Sequence, residues 1–345
     1  MKFIRVFILL ALFFAVPSAH PVALPGIPEF IDEMVARHQF KRDELESAFA
    51  HAQHIPSVIE AISRPATSKP WLEYRAAFVN PQRIRLGLEF WHKYRNTLRR
   101  AEQTYGVPQD VIVAVIGVET IYGQDAGSFR TLDALTTLAF DYPQRAGFFR
   151  GELENYLLLA REQQFDLLEI RGSYAGALGI PQFMPSSYRN YAVDFNGNRK
   201  IDILREARDA IGSVANYLNG YGWISDESGD AQAAGAGSTP PHKNRPMPPI
   251  AVRAQVSEEI CAGDITMPRP VAAWSEAGIV PGSDLPPDLA ARLIDFTVGE
   301  EKEFWLVFNN FEVITRYNNS DYYAMSVFQL AEELKAARLK TMRAK

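Results

Sequence analysis

Cysteine is almost missing from this chain: Cys261 stands alone in 345 residues. That excludes an internal disulfide and any cysteine-rich metal centre, so stability must come from apolar cores. Cys261 itself reads as an inert packed thiol. Blocks of basic residues are also lacking, which argues against nucleic acid and against a polybasic membrane-surface helix. Apolar runs long enough to span a bilayer are missing too. Val6 to Val16 is unbroken but has only eleven residues, short of the roughly 20 that a spanning helix needs.

That short run has a different meaning. Lys2 and Arg5 precede it and the small residues of Val16-Pro-Ser-Ala19 follow it, the order of a secretory signal peptide over residues 1–19. With Cys261 far from this segment, no lipid attachment is expected, and the mature protein should be exported, soluble and without a stable membrane anchor. Losing Lys2 and Arg5 moves the formal charge from −5 to −7. A length of about 325 mature residues suggests about two domains.

From Ile27 to about Leu98 apolar residues recur three and four apart, with Pro56, Pro65, Pro70 and Pro81 as breaks and starts, so the segment should be helical. Further helices are expected at 108–122, 131–141, 147–163 and 209–218. Residues 172–185 are rich in glycine and proline and read as a loop. Residues 225–249 carry Ser, Gly, Ala and Pro and read as a linker. Beyond them the period shortens, and 250–256, 291–298 and 304–308 look like strands. Asn309-Asn310 reads as a turn into a further extended segment, Phe311–Thr315. Ser320 then opens a last helix carrying Tyr323, Val327, Leu330 and Leu334 on one face.

One stretch raises a chemical question. Val111–Val118 is apolar or glycine throughout and runs directly into Glu119. An ionised carboxylate is expensive to bury unpaired. Pro108 suits the first turn of this helix and Gly123 its C′ position, placing Glu119 near the C-terminus, where the helix dipole also disfavours negative charge. Both effects raise the pKa, as a general acid near neutral pH requires. The plain alternative is a helix emerging into water at Glu119-Thr120. The loop Gly172–Tyr188 adds small residues for close backbone approach, and Ser173, Tyr174 and Gln182 add neutral hydrogen-bonding groups. Such a set suits an uncharged polar polymer such as a glycan.

These motifs carry a resemblance. GVET followed by YG, then GSYAGALGIPQFMPSSY, DAIGSVANYL and ITRYN, resemble the lytic murein transglycosylase B family, with similarity from Phe30–Val35 to the final helix. The resemblance implies an α+β, mainly α fold: a helical N-terminal region (20–100), a lysozyme-like core (101–224), a linker and inserted β-rich lobe (225–316), and a C-terminal helix returning to the core (317–345). It implies a periplasmic enzyme that cleaves the β-1,4 bond between N-acetylmuramic acid and N-acetylglucosamine without water, leaving a 1,6-anhydromuramic end. Glu119 matches the family's sole acid/base. The muramic N-acetyl group assists, so one carboxylate suffices where most glycosidases need two. Asp125, Asp133 and Asp141 are nearby in sequence, but no spacing favours any of them as a second carboxylate.

The resemblance also implies that Ser173, Gln182, Tyr217, Tyr317, Asn318 and Tyr74 line the glycan groove. Arg145 would meet the stem peptide, with Gln144 standing where the family often has a second arginine. No cofactor is required. Asp194, Asn196, Asn198 and Lys200 (through its carbonyl) space oxygen atoms as in an EF-hand, and Asp209 would match a later calcium-binding aspartate of the family. Arg199 and Arg205 replace the glycine and glutamate of the EF-hand pattern, and the low ligand charge favours a loop held by Asx turns. Peptidoglycan strands are the implied partner, with association to other cell-wall enzymes left open. A hydrolytic muramidase and a non-catalytic peptidoglycan-binding scaffold are the competing readings.

Overall fold

The computed structural model describes residues 24–64, 69–225, 247–256 and 267–343. The signal segment, Cys261 and most of the expected linker lie outside the described residues. Six helices come first: α1 (Ile27–His38), α2 (Arg42–Ala50), α3 (Pro56–Ile62), α4 (Trp71–Phe78), α5 (Pro81–Lys93) and α6 (Arg95–Tyr105). Proline opens α3 and α5, where its missing N–H is harmless. Asn80 caps α5, its Oδ1 accepting from the N–H of Arg83 at 3.0 Å.

The next helix, α7 (Gln109–Thr120), organises the helical part. Val111 to Val118 are all buried, so it has no solvent face. A helix apolar all round must sit inside, and α5, α6, α11 (Ala207–Gly220) and α14 (Asp321–Arg343) surround it. Between α7 and α11 the chain forms β1 (Phe129–Arg130), α8 (Thr131–Asp141), α9 (Ala146–Gln163), β2 (Arg171–Gly172) and α10 (Pro185–Tyr191). The two short strands pair antiparallel and open the glycine-rich loop.

The lobe before the last helix is a five-stranded antiparallel sheet. It comprises β3 (Ala251–Val256), β4 (Arg269–Pro270), β5 (Ile279–Pro281), β6 (Ala290–Val298) and β7 (Glu301–Val307) in the order β4-β6-β7-β3-β5. One face joins the main core through Ala251, Ile294, Phe296 and Val307. The other forms its own small core with Val271 and Trp274 of α12 (Val271–Glu276). The fold is α+β and mainly α, as the motifs implied.

Differences from the sequence reading are local. β7 begins at Glu301, because the polar residues Glu301–Glu303 pair across to β6. The expected turn and extended segment at 309–315 is instead a helix, α13 (Asn309–Thr315). Its buried Asn310 satisfies a neighbouring backbone: Oδ1 accepts from Ile224 N–H and Nδ2 donates to Ile224 C=O, each at 2.8 Å. That amide stands in for a strand partner, a tertiary bond that local periodicity does not contain. Ser320 does open α14, its Oγ accepting from the N–H of Tyr323 at 3.3 Å.

Asn310→Ala should therefore lower the free energy of urea unfolding by about 2–3 kcal/mol, because two buried backbone groups lose their partner. A change below about 0.5 kcal/mol would mean that water replaces the amide there.

Candidate active site

The end of α7 is built by its own motif. Glu119 and Thr120 are the last helical residues, and Ile121, Tyr122 and Gly123 then all adopt positive φ (51°, 63° and 88°). Such a conformation is rare for a β-branched residue. It ends the helix earlier than a C′ at Gly123 would, and folds Tyr122 back under it. The Tyr122 ring fills a slot made by two glycines: a Cβ on Gly117 would come within 2.6 Å of its hydroxyl, and one on Gly87 within 2.4 Å. Its hydroxyl donates to the carbonyl of Arg83 at 2.9 Å. Thr120 ties the helix end to the glycine-rich loop, donating to Ile180 C=O at 2.7 Å and accepting from Gly123 N–H at 3.0 Å.

Glu119 is half-buried at this junction. Tyr323, in the first turn of α14, donates its hydroxyl to Glu119 Oε1 at 2.5 Å. Tyr74, Tyr217 and Tyr317 also lie within its electrostatic reach. Burial raises the Glu119 pKa from 4.5 to about 7, against the opposing pull of the Tyr323 hydrogen bond and the Arg83 charge. Burial, and then the Glu119 charge, raise Tyr74 to about 12 and push Tyr317 and Tyr323 well above the usual phenol value. These hydroxyls stay neutral while Glu119 exchanges its proton in the physiological range.

The aromatic groups pack as one cluster. Tyr217 and Tyr317 have ring centroids 4.8 Å apart, and Tyr317 stacks on Tyr323 at 6.3 Å. Their hydroxyls are already engaged, Tyr217 donating to Arg316 C=O and Tyr317 to Pro181 C=O. Each hydroxyl keeps only acceptor capacity. Tyr74 packs between Trp71, Phe78 and Tyr322.

The loop from Gly172 to Met184 is fixed from within. Ser173 Oγ accepts from the N–H groups of Ala175 and Ala177 at 3.2 and 3.0 Å. Gly179 has φ +70°, and a Cβ there would meet the carbonyl of Ile203 at 2.4 Å, so only glycine fits. Gln182 Nε2 donates to Ala126 C=O and Gly179 C=O, so Oε1 remains as an acceptor. Asn318 is exposed on the turn between α13 and α14, next to Tyr317. Arg145 is exposed and stacks on Phe148 and Phe149 at 4.4 and 5.2 Å.

The other acids have different duties. Asp125 is exposed. Asp133 accepts from Arg130 and from Gln53 N–H, and Asp141 pairs with His54 at 2.7 Å. In the acidic loop, Asp194 accepts from the N–H groups of Gly197, Asn198 and Arg199. Asn196 and Asn198 make Asx turns to Asn198 and Lys200. Asp209 is fully buried and accepts from Phe195, Asn196 and Asp202 N–H. Burial, and then the nearby Asp194, raise its pKa against those three bonds.

Sequence reasoning assigned no site role to Arg83, Tyr122 or Tyr323. A phenol on the same apolar face as Val327, Leu330 and Leu334 was a usable signal for Tyr323. Arg83 gave none, since its contact with the end of α7 is purely tertiary.

Comparison with known proteins fits this geometry. The family model described as "Transglycosylase SLT domain" matches residues 24–332. The chain is 41% identical over 325 residues to membrane-bound lytic murein transglycosylase B of Escherichia coli K12, covering 91% of this chain and 84% of that protein. Two structures of the E. coli lytic transglycosylase SLT35, one in complex with bulgecin A and one in complex with calcium, each match at a TM-score of 0.79 and 39% identity, covering 92% of this chain and 95% of that one. Soluble SltB1 of Pseudomonas aeruginosa matches at 0.79 and 43% identity, covering 91% and 99%. The chain belongs to the lytic murein transglycosylase B family of peptidoglycan lytic transglycosylases.

Proposed function

We propose that this chain cleaves the β-1,4 bond between N-acetylmuramic acid and N-acetylglucosamine and closes a 1,6-anhydro ring, with Glu119 as acid and then base. The observation that carries this reading is a half-buried carboxyl whose pKa is raised to about 7 and whose electrostatic neighbours, among the described residues, include a cation and neutral phenols but no second carboxylate. Protonated Glu119 gives its proton to the glycosidic oxygen as the bond from C1 of the muramic residue breaks. The muramic N-acetyl carbonyl assists at C1. The resulting carboxylate, held by Tyr323 and faced by Arg83, then takes the proton of the C6 hydroxyl as O6 bonds to C1. No water is consumed, and Glu119 ends protonated.

In this reading Tyr74, Tyr217 and Tyr317 offer apolar and acceptor surface to the sugars. Gln182 Oε1 and the exposed Asn318 offer hydrogen bonds. Ser173 chiefly holds the loop, and exposed Arg145 would meet the stem peptide. Residues 1–19 read as an export signal and the site of action as the periplasm. Among the described residues no helix is long and apolar enough to cross a membrane.

We also infer weak calcium binding at the acidic loop. The relative SLT35 was solved with calcium, and here Asp194, Asn196, Asn198, the Lys200 carbonyl and Asp209 supply oxygen donors. The mutual repulsion of Asp194 and buried Asp209 is what a divalent cation would relieve. The Asx turns already shape the loop, so the ion would add stability without entering the reaction.

Glu119→Gln should fold and lose turnover on purified sacculi by several orders of magnitude. The wild-type products should be lighter by one water than lysozyme products and lack a new reducing end. Reducing-end products would instead favour the hydrolytic alternative.

Because the acid step needs protonated Glu119, activity should fall as pH rises through about 7. The stability effect has the same direction. A carboxyl that binds its proton more tightly when folded loses stability as pH rises between its unfolded and folded pKa values. Glu119→Gln should therefore be more stable than wild type at pH 8, by at most about 3 kcal/mol, and this gain should vanish near pH 4. Parallel stability curves for the two proteins would contradict the raised pKa.

Millimolar calcium should raise the melting temperature and Asp194→Ala should abolish the rise. Identical curves in calcium and in chelator would leave the loop with a structural role only.

A further inference from the structure

Arg83 lies in the first turn of α5 with its guanidinium against the C-terminus of α7. Nη1 donates to the carbonyl of Gly117 and, at 3.5 Å, to that of Val118. Nε donates to Ala77 C=O at 3.2 Å, and the group sits 5.2 Å over the Phe78 ring. Its own carbonyl receives the Tyr122 hydroxyl. The last carbonyls of a helix lack intrahelical partners and form its negative end. Glu119 sits at that same end, so a carboxylate forming there meets the helix dipole as well as poor solvation.

The groups that face Glu119 come from five places. Arg83 comes from α5, Tyr74 from α4, Tyr217 from α11, Tyr317 from the turn after α13 and Tyr323 from α14. The four phenols remain neutral. Among the described residues Arg83 is thus the only cation acting on Glu119. It is itself partly buried, and burial pulls its pKa down, against the attraction of Tyr122 and Glu119.

We propose that Arg83 is the positioning residue of this site. It pins the end of α7 through two carbonyls and supplies the positive charge that holds Glu119 as a carboxylate between the two proton transfers. This rests on the reading of Glu119 as acid and then base. The acid step alone would not need Arg83, since an isolated buried carboxyl is already protonated. The second step does, because the carboxylate must persist until the C6 hydroxyl gives up its proton.

The test is the pH profile of muropeptide release from sacculi for wild type, Arg83→Met and Arg83→Lys, with Glu119→Gln as baseline. Thermal melts would check folding. Arg83→Met should lose turnover by about 10- to 100-fold, and its alkaline limb should move to higher pH by about one unit. Arg83→Lys keeps the charge but not the forked contact, so its limb should stay at the wild-type position while turnover falls less. Should Arg83→Met fail to fold, Arg83→Gln carries the same neutral-against-charged comparison with Lys. An inactive Glu119→Gln together with an unmoved limb in the neutral Arg83 variant would overturn the role of Arg83. An active Glu119→Gln would overturn the reading of Glu119, whatever the Arg83 variants do.

Discussion

A carboxyl group placed at the negative end of a helix with no solvent face is the constraint that the surrounding structure answers. Burial and the dipole both resist ionisation there. The chain surrounds Glu119 with one shared proton donor, Tyr323, one cation, Arg83, and phenols that remain neutral. Each comes from a different element, so the chemistry of this carboxyl depends on the docking of α4, α5, α11 and α14 around α7. The packing of the helical core and the tuning of the site are a single arrangement.

The tetrapeptide Gly117-Val-Glu-Thr120 shows how closely the two are joined. Gly117 admits the Tyr122 ring, Val118 fills the core, Glu119 faces the tyrosines, and Thr120 bonds the glycine-rich loop. Adding a side chain at Gly117 would push on Tyr122, and through Tyr122 on the backbone of Arg83. Structural residues and chemical residues alternate here because a helix end offers no spare positions.

Much of this was legible in the sequence where the signal was local. An apolar run ending in Glu119 pointed to a carboxyl shielded from water, which is half-buried, and the shortened period identified β3 and β6. The pattern of oxygen side chains from Asp194 onward identified a loop held by Asx turns. What escaped depended on distant partners. The helix at Asn309–Thr315 is stabilised by an amide bond to Ile224 across a long separation in sequence. Arg83 meets α7 across an intervening helix, and nothing around it in the chain marks that contact. The stacking of Arg145 on Phe148 and Phe149 likewise left no mark in the chain beyond the motif itself.

The inserted sheet bears on the site through one aromatic contact. Trp71 stacks on Phe296 of β6 with centroids 4.4 Å apart, and Tyr74 follows one turn later on the same helix. The helix that carries Tyr74 is thus packed on a lobe that contributes none of the groups facing Glu119. Drift in the sheet's inner face can tilt α4 and shift Tyr74 while α7 and its carboxyl stay untouched. Lineages could thus vary the surroundings of Tyr74 through the insert alone, leaving the setting of Glu119 unchanged.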